Sequence, residues 1–185
     1  PEAAIVPVLL DPGLAFGTGT HATTAMCLNA LDRLIAGNER IVDFGCGSGI
    51  LAIAALKLGA GCALGVDNDP QAVFASRDNA QRNGIEPDDF AVVMPDDEVI
   101  AQWEDSADLI VANILAGPLV ELADQLINLT APGGTILLTG VLEAQAPQLI
   151  ERYRNVNLEV NQQRDGWVLL LSLIHISEPT RQSLI

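Results

Sequence analysis

Short apolar runs alternate with amphipathic stretches along most of this chain, and the two kinds of segment differ in period. Ile41 to Phe44, Ala63 to Val66, Phe90 to Met94, Leu109 to Ala112 and Thr135 to Val141 are apolar runs bounded by Gly, Pro, Asn or Asp, which predicts strands. Between them lie segments of helical period. From about His21, Ala25, Leu28, Leu31 and Ile35 line one predicted face with Leu34 beside them, and Gly37 offers a stop. A second helix runs from about Ile50 to Leu58 and is stopped by Gly59. A third begins at Pro70 with Asp69 as its cap and runs to Asn83, with Gly84 beyond. Pro118 is expected at the first position of a helix carrying Leu119, Leu122, Leu126 and Leu129, which Pro132-Gly133-Gly134 ends. Ala144 to Tyr153 reads as a further helix. Leu158 to Val160 and Trp167 to Leu171 read as two closing strands joined by the turn-like Arg164-Asp165-Gly166.

Strands alternating with helices predict an α/β fold, with a mostly parallel sheet covered on both faces and an antiparallel hairpin at one edge. At 185 residues and 49% apolar, the chain is expected to form one domain with a sizeable core. Pro1 to Thr20 reads as an extended lead-in segment rich in turn signals. The chain begins at Pro1 without a methionine, so the start looks like a cut, and a missing portion could have carried a signal.

Charge and cysteine content narrow the function classes. With 9 basic against 24 acidic residues, the net charge of −15 argues against a general nucleic-acid binder, which needs a basic face for phosphates. Cys27, Cys46 and Cys62 are odd in number and in no metal-ligand spacing, which points to a reducing cytosol, with neither a disulfide framework nor a zinc site. The longest apolar region, Ile50 to Val66, is interrupted by Lys57 and by glycines, so no membrane span is expected.

The chemistry gathers at the ends of the predicted strands, where open parallel sheets bind their ligands. Gly45, Gly47 and Gly49 follow the first strand, in a turn tight enough that side chains would block the approach of a ligand. A tight turn alone would explain them. Asp67 ends the second strand, where a carboxylate accepts both ribose hydroxyls of a nucleoside; Asp69 is the better helix cap, which leaves Asp67 for the ligand. In Gly45-Cys46-Gly47-Ser48-Gly49-Ile50 the glycines alternate and Ile50 stands where a dinucleotide loop has its third glycine, which favours S-adenosylmethionine over a dinucleotide. Asn113 follows the fourth strand and faces the same crevice, where its side-chain oxygen could accept from an incoming amine. Thr18, Thr20, His21, Thr23 and Thr24 form a polar cluster at a helix start, and capping accounts for part of it.

At these residues the sequence resembles the bacterial ribosomal protein methyltransferases of the PrmA type, which methylate amines of large-subunit ribosomal protein L-eleven. The matching segments are LDPGLAFGTGTHATT, IVDFGCGSGILAIAALKLGA, GVDNDPQAV with ASRDNAQRNG, VANILAGPL and APGGTILLTGVL, covering most of Leu10 to Leu142. The glycine loop is common among S-adenosylmethionine enzymes; AFGTGTH together with VANILAGPL is far more specific. The resemblance implies a Rossmann-like, seven-stranded methyltransferase sheet with its last strand antiparallel. It puts Thr24, Gly45, Gly47, Gly49, Asp67 and Asn113 on donor-binding positions, with Phe16, Gly17 and Thr18 in a loop through His21 packed over the methionine end of the cofactor. It also implies a cytoplasmic enzyme of three parts here: residues 1–20 as lead-in and covering loop, 21–171 as catalytic domain, and 172–185, which resemble translated vector or adapter sequence, as a tail without a role. The family's N-terminal substrate-recognition domain is missing from this sequence. Two rival readings remain at this point, a nicotinamide-dependent oxidoreductase using the same loop and acid, and a non-catalytic module that keeps the fold as a scaffold.

Overall fold

The computed structural model describes residues 6–11 and 20–172. In chain order the elements are α1 (Ala22–Leu34), β1 (Arg40–Phe44), α2 (Ile50–Lys57), β2 (Cys62–Val66), α3 (Pro70–Arg82), β3 (Phe90–Val93), β4 (Ala107–Asn113), α4 (Ala116–Glu121), α5 (Ala123–Leu129), β5 (Thr130–Leu142), α6 (Ala146–Arg152), β6 (Leu158–Arg164) and β7 (Trp167–Ser172). The strands form one sheet in the order β3-β2-β1-β4-β5-β7-β6. β1 to β5 are parallel to one another, and β7 runs antiparallel to both β5 and β6. The expected edge hairpin is present, with the later strand inside and β6 at the edge.

The two faces are covered by successive halves of the chain. One buried cluster joins Met26, Cys27 and Leu31 of α1 and most of α2 to Ile41, Leu109, Val111, Leu137 and Leu169. The opposite cluster joins Leu119, Leu126 and Leu149 of the later helices to Val42, Leu64, Ile110, Ile136 and Leu170. Strand residues alternate between the two clusters, as the two-residue period of a strand dictates. The strand order reverses between β1 and β4, so a crevice opens outside their carboxyl ends.

Several expected details are corrected. The buried face of α1 is Thr23, Thr24, Met26, Cys27, Ala30 and Leu31, so of the expected apolar stripe only Leu31 is fully buried. The face is rotated toward α2, which is itself buried along Ile50 to Ala55, and Leu28, Leu34 and Ile35 pack at its margin as partly buried residues. Pro118 is the third residue of α4, which starts at Ala116. The single helix expected there is two, α4 and α5, meeting at Leu122. Pro132 to Gly134 do not lie outside regular structure: β5 already begins at Thr130, and its pairing shifts from Ala107↔Thr130 to Leu109↔Thr135 around them. The acidic stretch before β4 contains a 3-10 turn, Glu98–Trp103, capped by Asp97, whose Ile100 and Trp103 supply buried apolar anchors.

Candidate functional site

The loop from Gly45 to Gly49 leaves the end of β1 and crosses toward the end of β2: the N–H groups of Gly45 and Cys46 donate to the Val66 carbonyl at 2.7 and 3.2 Å. Gly49 caps α2 in a left-handed conformation and has no side chain to satisfy the first-turn N–H groups. Asp43, one strand residue pair behind the loop, does so instead, its Oδ2 accepting from Ala52 N at 3.1 Å. This carboxyl is 1% exposed. Burial, with a further push from the nearby Asp67 and partial relief from the Ala52 bond, raises its pKa to about 7. Burial, together with Asp43, also pushes up the thiols of Cys27 and Cys46, which are free cysteines held in the unreactive protonated form.

Asp67 stands at the end of β2 as expected, and Asp69 is the cap of α3, accepting from Gln71 N at 2.8 Å. Asp67 nevertheless has protein partners. One oxygen accepts from Gly47 N at 2.9 Å and the other from Asp69 N at 3.0 Å, so the carboxylate ties the glycine loop to β2 while each oxygen keeps a second lone pair. From α3, Ser76 Oγ donates to the Gly47 carbonyl at 2.9 Å and Asn79 Nδ2 to the Ser48 carbonyl at 2.9 Å. The loop is thereby held from behind by three side chains, with its outer side turned to the crevice.

Asn113 ends β4, half-buried, and its Nδ2 donates to Thr24 Oγ1 at 3.4 Å, which brings together two residues 89 positions apart in sequence. That bond leaves the carboxamide oxygen able to accept from a hydrogen-bond donor in the crevice. The next residue, Ile114, is wedged between two glycines. A Cβ on Gly45 (φ +76°) would lie 2.3 Å from Ile114 Cγ2, and one on Gly140 (φ +84°) 2.3 Å from the Ile114 carbonyl oxygen. The first obstacle to a side chain at Gly45 is therefore Ile114, which couples the glycine loop to the loop after β4.

At the N-terminus of α1, His21 is the cap: its Nδ1 accepts from Thr23 N at 3.3 Å and lies 2.8 Å from Thr23 Oγ1. The imidazole meets the Trp167 ring edge-on at a centroid distance of 5.2 Å. Trp167 opens β7 opposite Leu142, the last residue of β5. One end of α1 thus bridges the carboxyl ends of β4 and β5 and the start of β7. Leu115 and Leu142 are exposed large apolar residues of the same rim. Phe16, Gly17 and Thr18 lie outside the described residues. Among the described residues there is no cluster able to hold a metal ion, and no helix is long and apolar enough to cross a membrane.

Sequence reading missed three contributors: Asp43, Ser76 and Asn79. A lone acid inside Ile41-Val42-Asp43-Phe44 was the available signal for the first, because an unpaired carboxylate in a buried strand needs a reason. Ser76 and Asn79 sit on the buried stripe of a helix expected to be apolar there, a signal legible only once the face of α3 is known.

The sequence model described as ribosomal protein L11 methyltransferase (PrmA) matches residues 1–173. This chain belongs to that family. It is 56% identical to the ribosomal protein L11 methyltransferase of Pseudomonas aeruginosa (strain LESB58) over 91% of this chain, and 55% identical to that of Chromohalobacter salexigens over the same share. In both cases the match spans 56% of the relative, so the chain covers a little over half the length of these family members. Among solved structures, the ribosomal protein L11 methylase of Lactobacillus delbrueckii subsp. bulgaricus superposes with a TM-score of 0.77 at 33% identity, covering 91% of this chain and 86% of that one. The precorrin-6y C5,15-methyltransferase of Geobacter metallireducens, at 16% identity and a TM-score of 0.71 over 94% of this chain and 100% of that one, shares the fold. The seven-stranded methyltransferase sheet expected from the sequence is the sheet observed.

Proposed function

We propose that this domain binds S-adenosylmethionine across Gly45, Gly47, Gly49 and Asp67 and transfers its methyl group to an amine presented at Asn113. The observation that carries the reading is the juxtaposition of three strand ends: the braced loop of β1, the Asp67 carboxylate of β2 and the Asn113 carboxamide of β4 border one crevice. The internal capping of α2 favours this donor over a dinucleotide. In dinucleotide sites the first helix N-terminus faces a pyrophosphate. Here that terminus is capped from within by Asp43, and Asp67 stands beside it. A first-turn N–H already bonded to Asp43 is not free for a pyrophosphate, and the donor proposed here carries none.

In the reaction, the neutral amine nitrogen attacks the methyl carbon; a C–N bond forms as the carbon–sulfur bond breaks, S-adenosylhomocysteine leaves, and the added proton on nitrogen is lost to solvent. A lysine amine with a free pKa of roughly 10 must first be deprotonated, which exclusion from water favours. No side chain is assigned as base. Catalysis rests on positioning, with the Asn113 oxygen aiming the lone pair and Thr24 fixing the carboxamide. The amine arrives from the β5 and β7 side, between Asn113 and the His21–Trp167 pair, because the donor occupies the β1 and β2 side.

The relatives' names supply a ribosomal protein of the L11 type as the acceptor; that lysine or N-terminal amines of it are the groups methylated is our assignment. We assign residues 1–20 to the lead-in and covering loop, with Phe16, Gly17 and Thr18 over the donor, and 21–171 to the catalytic unit. Ser172, expected in the tail, joins that unit because it is the buried last residue of β7, which leaves 173–185 as a tail without a role. Substrate targeting belongs to a separate N-terminal domain, and the reaction takes place in the cytoplasm. Calorimetric titration separates the readings: S-adenosylmethionine binds and NAD does not, whereas tight binding of NAD alone would overturn the assignment. A radiolabelled transfer assay on the ribosomal protein, comparing this chain with a version that carries the targeting domain, should give faster transfer with the longer chain. Equal rates would remove the targeting role, and no transfer by either would favour the scaffold reading.

A further inference from the structure

Residues 9–11 form a short strap along α3, and its attachments are specific. Asn83 takes Leu9 in a two-way bond, Leu9 N to Oδ1 at 2.9 Å and Nδ2 to the Leu9 carbonyl at 2.7 Å. Asp11 N donates to Asn79 Oδ1 at 2.9 Å, and the Asp11 carboxylate pairs with Arg82 at 3.2 Å. Val8 and Leu10 pack against the core on the α1 to α3 face.

Asn79 is where this strap meets the glycine loop. It is 1% exposed, and its carboxamide is used at both ends: Oδ1 holds Asp11 N and Nδ2 holds the Ser48 carbonyl. Few side chains can do both. An aspartate could accept from Asp11 and would repel the Ser48 carbonyl, and an apolar residue would leave a buried N–H and a buried carbonyl without partners. The rest of the buried face of α3 is Ala72, Val73, Ala75, Ser76 and Ala80, so packing alone does not call for an amide at this position. A buried amide joining two separate backbone segments, one of them a ligand loop, transmits the position of each to the other.

We propose that Asn79 is a positioning residue for donor binding, through which the 9–11 strap and the Gly45 to Gly49 loop hold each other in place. This rests on the reading of that loop as the donor site. Coupling of this kind is reciprocal: if the strap supports the loop for the donor, the donor must tighten the strap.

Hydrogen exchange and calorimetry with S-adenosylhomocysteine as the probe test it. In the unaltered chain, saturating S-adenosylhomocysteine slows exchange of the Leu9 and Asp11 amides. Asn79→Ala weakens S-adenosylhomocysteine binding about tenfold and abolishes that slowing. Asn83→Ala, which releases Leu9 and keeps the Asn79 bridge, gives a smaller loss of affinity and preserves the slowing at Asp11. A residue that only stabilised the fold would lower the melting temperature and leave the donor-induced slowing intact. Unchanged affinity in Asn79→Ala, or Leu9 and Asp11 amides indifferent to bound S-adenosylhomocysteine in the unaltered chain, would overturn the bridge alone. Failure of the unaltered chain to bind S-adenosylhomocysteine at all would instead overturn the donor reading, and the bridge with it.

Discussion

The two sides of the crevice are built to different standards. On the β1 and β2 side, Asp67, Ser76 and Asn79 fix a five-residue loop through bonds of 2.9 Å, all three reaching it from other elements, and Asp43 caps the helix behind it at 3.1 Å. On the β4, β5 and β7 side, Asn113 is tied to Thr24 by one bond of 3.4 Å, His21 leans on Trp167, and Leu115 and Leu142 stay exposed. The difference matches the division of labour proposed above. A small ligand that every turnover requires is met by a site formed in advance, which lowers the ordering cost of binding. The proposed protein acceptor would bring its own surface, and among the described residues that side is the more open one.

The comparison can be broken most sharply at Asn113. Replacing it with alanine should lower methyl transfer by on the order of a hundredfold, well beyond any accompanying loss of donor affinity, because a misplaced nucleophile loses most of its orientational advantage. Transfer assays with the longer chain decide it, and wild-type turnover would exclude the positioning role. On the donor side, Asp67→Ala should do the converse, weakening S-adenosylhomocysteine binding by roughly tenfold or more, as expected for loss of charged hydrogen bonds to the ligand and of the Gly47 tie. Equal affinities would move the donor elsewhere.

Gly45→Ala probes the join between the two sides. Its Cβ would strike Ile114 at a positive φ, so we expect a loss of about 2 to 3 kcal/mol in denaturant unfolding, together with weakened donor binding. A neutral substitution would show that the loop after β4 yields freely.

A last effect, behind the loop and confined to stability, is the pH dependence carried by Asp43. Its folded pKa lies above that of the unfolded chain, so the folded state holds the proton more tightly and stability falls as pH rises from about 4 through about 7, then levels. Asp43→Asn keeps an acceptor for Ala52 N and removes the charge. The melting temperature of the variant should therefore exceed that of the parent above pH 7, and the slope between pH 5 and 7 should flatten. Parallel profiles would mean that the carboxyl is ionised throughout.

Legibility from sequence followed the physics of each signal. β1, β2, α2 and α3 were read almost to the residue because a single local cause marks each boundary: Asp69 with Pro70 starts α3, and Gly59 follows α2. Where the cause is tertiary, reading failed. The packed face of α1 depends on the side from which α2 approaches, so Thr23, Cys27 and Ala30 are buried where larger apolar residues were expected. Pro132 to Gly134 look like a terminator, yet a shift in pairing absorbs them into β5. At the site, Gly45, Asp67 and Asn113 were visible because they follow apolar strands directly. Asp67's tie to Gly47 and Asn79's to Ser48 were not, since hydrogen bonds across 20 and 31 residues leave no mark on local pattern.

The position of β7 has a further consequence, for the time course of folding. β6 emerges earlier in synthesis than β7, yet it has no neighbour in the sheet until β7 slots between it and β5. Ser172, at the far end of β7, is fully buried and accepts the Ile136 N–H at 2.7 Å. Until that last stretch has been made, β5 presents a naked edge and β6 dangles, and closure requires pairing between segments far apart in the chain, which is slow. Chains stalled or clipped before Trp167 should therefore aggregate through β5, whereas a fusion placed beyond Ser172 leaves every strand able to pair.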